Sequence, residues 1–89
     1  ADFAAFIGLW HRLDAAGAYF HFFHVYEAAE ITGDARFLAA VKILPPADLP
    51  VLAIGLREAR GWLKGRQEFS AAFPQTFAYL RSHMKTGDF

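Results

Sequence analysis

His21, His24, Glu27 and Glu30 follow one another at three-residue steps, in the pattern H-x-x-H-x-x-E-x-x-E. Imidazole nitrogens and carboxylate oxygens are ligand types suited to zinc, iron or manganese. On a helix, residues three apart have Cβ atoms about 5–6 Å from one another, so the four form a slanting ridge. Di-metal helical bundles use an E-x-x-H pair at this spacing from each of two helices. Here the order is reversed, His24-x-x-Glu27, and there is one copy. A complete site therefore needs dimerisation or help from His11 or His83. Each three-residue step also turns the ridge by about 60°, which works against three members converging on one ion. The metal reading takes His21, His24 and Glu27 as ligands of a divalent transition metal. The plainer reading places them on the wet edge of a core helix, paired to each other or to nearby arginines. A pH-responsive contact is a third.

Other chemistry has less to work with. A nucleophile and base would have to come from Ser70 or Ser82 with a histidine, and Ser82 and His83 are sequence neighbours, which on a helix point apart. No Gly-rich loop follows a strand, so a phosphate cradle is not expected. There is no cysteine, hence no disulfide, thiolate metal site or cysteine nucleophile, and a reducing cytoplasm is the expected compartment. Arg57, Arg60 and Lys64, with Arg66 just beyond, make the best basic patch. It reads as a solvated helix face or, if functional, as a docking face for an acidic protein. The chain is expected not to be an enzyme and to carry no cofactor beyond such a metal.

These groups sit in a chain of 89 residues, expected to form a single domain over 1–89. It is 55% hydrophobic with fifteen aromatic rings, more than so small an interior easily buries, and such a surplus marks a dimer seam, a partner groove or a ligand pocket. Formal net charge is zero. Residues 1–45 hold three basic against five acidic groups and residues 46–89 six against four, too little asymmetry for a nucleic-acid binder. The first ten residues lack the basic region of a signal peptide. No run approaches the roughly 20 apolar residues of a membrane helix. Ala1 is compatible with removal of an initiator Met or with a trimmed chain.

The periodicity predicts an all-α fold, a compact bundle of four to five short amphipathic helices around residues 17–31. Asp2 caps a first helix over about 3–13, with Phe3, Phe6, Ile7, Trp10 and Leu13 as its core stripe. Asp14 caps the central segment, where Gly17 marks either a break or a bend. Tyr19, Phe22, Phe23 and Tyr26 give its stripe. Thr32-Gly33 ends it in a left-handed glycine stop. Asp34 caps a third helix with Phe37, Ala40, Val41 and Leu44 buried, closed by Pro45-Pro46. Asp48 caps a fourth over about 49–64, its arc formed by Val51, Leu52, Gly55, Ala59, Trp62 and Leu63. Gly55 leaves room for a neighbouring helix, and Gly65 stops or loosens the end. Residues 66–85 carry Phe69, Phe73, Phe77, Leu80 and Met84, and Pro74 either opens a new helix or kinks a continuous one. Gly87 is the last stop.

Leu13, Ala16, Tyr19-Phe20, Phe23 and Val25 are loosely similar to an aromatic patch of the small nitrogenase-protecting accessory proteins. The histidine-containing block that follows in that family reads Arg36-Phe37-Leu38 here, and the family is not assigned. The likeness implies only a category, a small helical accessory to a larger enzyme.

The expected function is thus that of a small non-enzymatic accessory or regulatory protein that binds protein, by self-association or by docking on a larger enzyme. Phe20, His24, Glu27, Arg57, Arg60 and Lys64 are its expected interface, with Phe20 as the exposed anchor because it lies off the main stripe, between His24 and Glu27 on the helical wheel. No nucleic acid or membrane is expected as a partner. The rivals are the metal protein and a carrier holding an apolar ligand among Phe22, Phe73 and Phe77.

Overall fold

Prolines, positive-φ glycines and extended residues cut the chain into helices. A computed structural model describes residues 2–13, 15–63, 65 and 67–84, without the side chains of Asp2, Ala15, Ala16 and Tyr19. Helix α1 (Asp2–Ile7) tightens into a 3-10 turn (Gly8–Arg12), and α2 (Ala15–Thr32) follows. Then come α3 (Asp34–Val41), a 3-10 turn (Pro46–Asp48), α4 (Leu49–Trp62), α5 (Phe69–Ala72) and α6 (Pro74–Ser82). The fold is all-α, six helices in a compact bundle with no strand among the described residues.

The breaks have local causes. Leu13 is extended at φ −111°, ψ 153°, which separates α1 from α2 and leaves Gly17 inside α2. Gly33 stops the helix as expected and donates to the Ala29 carbonyl at 2.9 Å, but at φ +90°, ψ 163° it is extended with positive φ and not in the left-handed helical conformation. Gly65 also has positive φ, +82°, three residues past the end of α4. Pro74 opens a new helix: Phe73 at φ −132°, ψ 63° breaks the ladder, and a proline at N1 has no amide to leave unpaired. That division of residues 66–85 is one reason the helices exceed the expected number.

Helix α2 has 18 residues, about 27 Å of axis, and nearly spans the 29 Å molecule. Helices α1, α3 and α4 and the first 3-10 turn pack against it. Its buried residues are His21, Phe22, Val25, Tyr26 and Ala29. Phe23 is only half-buried, and the Tyr19 side chain lies outside the described residues. The α2–α4 contact closes on Gly55, where an added Cβ would lie 2.5 Å from the Phe22 ring. Trp10 of the first 3-10 turn also meets this ring, at 5.5 Å between centroids. A second aromatic group centres on Phe73, whose ring meets Tyr26 of α2, Phe37 of α3 and Phe69 of α5 at 5.6, 5.7 and 5.2 Å. The α3 stripe Phe37, Ala40, Val41 and Leu44 is buried as expected.

Several expectations are corrected. Leu13 is exposed, because the helix has ended and extended backbone turns it outward. On α4, Val51 and Trp62 are exposed, and Leu49, Ala53 and Leu56 join Leu52, Gly55 and Ala59 inside. The contact with Phe22 at Gly55 sets that rotation. Asp48 stands at the N-cap of α4 but makes no capping bond, its Oδ1 lying 3.2 Å from His11 Nε2 instead. Asp34 is the first residue of α3, after Gly33 as N-cap, and its carboxylate caps α6. Its Oδ2 accepts from the Gln75 amide at 2.7 Å, and its Oδ1 from the Thr76 amide at 3.0 Å and hydroxyl at 2.7 Å. Asp14, Lys64, Arg66, Lys85 and Gly87 lie outside the described residues, as does the Asp2 side chain.

Three expected outcomes for stability are read by denaturant unfolding. Gly55→Ala should destabilise the fold by about 1–3 kcal/mol of overpacking, only partly offset by alanine's helical preference. Gly61→Ala on the same helix, where nothing lies within 4 Å, should stabilise it by about 0.5–1 kcal/mol. Asp34→Ala should cost about 1–2 kcal/mol through the lost cap. An unchanged midpoint would show that α6 does not depend on it.

Candidate functional site

Helix α2 divides the sequence-level ridge between two environments. Residues 21, 22, 25, 26 and 29 define the inward side, so position 21 belongs to the core and positions 24 and 27 to solvent. His21 is buried, with Nε2 3.2 Å from the Ile7 carbonyl and the Phe6 ring edge-on at 4.9 Å. A carbonyl oxygen only accepts, so Nε2 of His21 carries the hydrogen. His24 is exposed, and its Nδ1 lies 3.8 Å from Glu27 Oε1. The pairing anticipated by the plainer reading is therefore present for His24 and Glu27, while His21 is turned to a backbone partner. Among the described residues, no group of three or more His, Cys, Asp or Glu side chains is placed to hold one metal ion.

The outer face of α2 carries Phe20, His24, Glu27 and Ile31. Phe20 is 59% exposed and Ile31 86%. Phe20 leans edge-on against the half-buried Phe23, with centroids 5.9 Å apart. The anchor proposed from the wheel thus stands at the surface, in a strip with apolar ends and a polar middle. Ile31 was not singled out from the sequence, although its spacing of four from Glu27 continues the 20–24–27 series.

The basic ridge is only partly assembled as expected. Arg57 is exposed and Arg60 half-buried, with Arg60 Nη2 donating to Glu68 Oε1 at 2.8 Å and Nε to the Gln67 carbonyl at 3.4 Å. Both arginines line an open groove of about 280 Å³ with Glu68, Phe69, Ser70 and Phe77. Lys64 lies outside the described residues. Of the three phenylalanines named for an apolar ligand, Phe73 and Phe77 both meet Phe69, at 5.2 and 6.2 Å between centroids, and Phe22 packs elsewhere. Phe22 packs against Trp10 and Gly55, Phe73 among Tyr26, Phe37 and Phe69, and Phe77 lines that groove.

Ser82 and His83 do not point apart, which corrects the sequence expectation. His83 is past the end of α6 at φ −101°, ψ 5°, and its ring folds back so that Nδ1 lies 3.1 Å from Ser82 Oγ. Both groups reach the Tyr79 carbonyl, at 2.7 Å from Ser82 Oγ and 2.8 Å from His83 Nδ1. That acceptor requires Nδ1 to carry its hydrogen, so this nitrogen cannot take a proton from the serine. No helix among the described residues is long and apolar enough to cross a membrane.

Compared with known proteins, the chain matches no family model, no curated protein and no solved structure.

The split of the ridge has a measurable consequence. His21→Ala should lose roughly 2 kcal/mol or more of unfolding free energy, as expected for removing a buried ring with its hydrogen bond. His24→Ala should leave the midpoint nearly unchanged, because an exposed pair contributes little. Equal losses in the two variants would contradict the division between core and surface.

Proposed function

We propose that this is a small helical accessory protein that acts by binding protein through the outer face of α2, by contact and not by catalysis. The observation that carries the reading is Phe20, a phenylalanine 59% exposed on the longest helix, with Ile31 along the same strip. Burying an aromatic ring on association removes a large apolar area from water, at about 25 cal/mol per Å². Aromatic anchors rimmed by polar groups are the usual energetic centres of interfaces. His24 and Glu27 are the polar groups beside the ring here.

The rest of the chain is consistent with a binding role. Ser82 is not aligned with a proton acceptor, and Arg60 is already engaged with Glu68. Arg57, exposed on α4, offers a further contact for an acidic partner.

Native mass spectrometry of untagged chain, together with capture on the immobilised chain, tests the reading. The expected result is a complex, with itself or with another protein, that Phe20→Ala weakens at least tenfold while circular dichroism of the variant matches the parent. If parent and variant behave alike in both assays, or Phe20→Ala unfolds the chain, the reading is wrong. Added mass equal to a transition metal, lost in His24→Ala, would replace it with the metal protein.

A further inference from the structure

From the reading of α2 as a binding face, on which this inference rests, we infer that the partner is a second copy of the chain, docked antiparallel on the same face. The four outer residues stand at 20, 24, 27 and 31, spaced four, three and four. That spacing reads the same in both directions. A two-fold axis crossing α2 midway between Val25 and Tyr26 sets Phe20 opposite Ile31 of the second copy, and His24 opposite its Glu27. Both apolar ends then meet apolar ends, and both polar groups meet their opposites. A two-fold interface needs one patch that complements itself, and this strip does.

Alternating steps of four and three are also those of a heptad seam, whose full repeat averages 3.5 residues per step. Two such helices can therefore lie nearly antiparallel, crossing at about 20°, with the four positions kept in the seam. His24 already sits 3.8 Å from Glu27 of its own chain through Nδ1, which leaves Nε2 to donate to the carboxylate across the axis. The two histidines and two glutamates then form a square with unlike groups along its edges and like groups on its diagonals. Glu30, at the rim, stands about 13 Å along the axis from its counterpart, beyond the screening length at physiological salt. The formal net charge of zero puts no general repulsion between copies. A seam of one helix face belongs to the small interfaces, under about 1,200 Å², so the dimer is weak and concentration-dependent.

Charge reversal tests the register. In His24→Glu, two copies oppose glutamate to Glu27; in Glu27→Lys, two copies oppose lysine to His24. Mixed one to one, the variants face each other with glutamate against His24 and lysine against glutamate, so both edges are again complementary. Sedimentation velocity from micromolar to near-millimolar chain should show a parent dimer, each variant alone weakened roughly tenfold or more, and the mixture restored close to the parent. The exposure of both side chains keeps the fold out of the comparison, and circular dichroism checks it. A parent dimer that ignores both substitutions, or a mixture that stays monomeric, overturns the antiparallel register. If Phe20→Ala still dissolves that dimer, binding through α2 stands and only the register falls. A parent that is monomeric throughout overturns self-docking, and a foreign protein retained through Phe20 would then leave the binding reading in place.

Discussion

The approach of α2 to α4 through Gly55 sets the terms for the rest of the bundle. With no side chain at that position, the Phe22 ring lies directly on the α4 backbone. This fixes which sides of both helices are interior. Once Phe22 points inward, Val25, Tyr26 and Ala29, at i+3, i+4 and i+7 on the same stripe, face the interior with it, and His21 is carried inward beside them. On α4 the same contact draws Leu52, Leu56 and Ala59 in and leaves Val51, Ile54 and Trp62 outside. One absent methyl group thus decides where the apolar surplus is spent and where it remains on show.

That surplus is the feature that most invites a functional reading. A bundle with a radius of gyration of 11.8 Å has a small interior. It fills that interior with two aromatic groups, one around Phe22 and one around Phe73. Phe20, Ile31, Ile54 and Trp62 then stand outside on the two longest helices. The titratable groups follow the same logic. His21 is turned to a backbone carbonyl inside, His11 to Asp48, His83 to the end of its own helix, and His24 to Glu27 on the outer face.

Local signals read well where punctuation bounded them. Between Gly33 and Pro45 the spacing of Phe37, Ala40, Val41 and Leu44 has only one apolar face, and that face is buried. Gly33 as a stop and Phe20 as an exposed ring were legible for similar reasons: each depends on its own neighbours in sequence. The α4 arc was not. Apolar residues nearly encircle that helix, from Leu49 and Val51 to Ile54 and Trp62, so periodicity admits several faces and only the partner helix selects one. The boundary between buried His21 and exposed His24, only about 60° apart around α2, needed the same external reference. The role of Asp34 was further out of reach. As an aspartate after Thr32-Gly33 it has the local signature of a cap for the helix it begins, whereas its carboxylate serves backbone amides 41 and 42 positions later.

That carboxylate also bears on the order in which the chain can assemble. The first turn of α6 owes its amide acceptors to a residue in the other half of the sequence, and Thr76 is sealed beneath it at full burial. As the polypeptide emerges, α2 and α3 can form and dock, but Asp34 waits with its oxygens in water until the last segment arrives. The N-terminal half is therefore not a finished unit that later residues merely decorate. Closing so long a loop comes before its reward, which slows folding relative to a bundle built from neighbouring contacts alone. The bundle is latched from within, and it can be completed only when nearly all of it has been made.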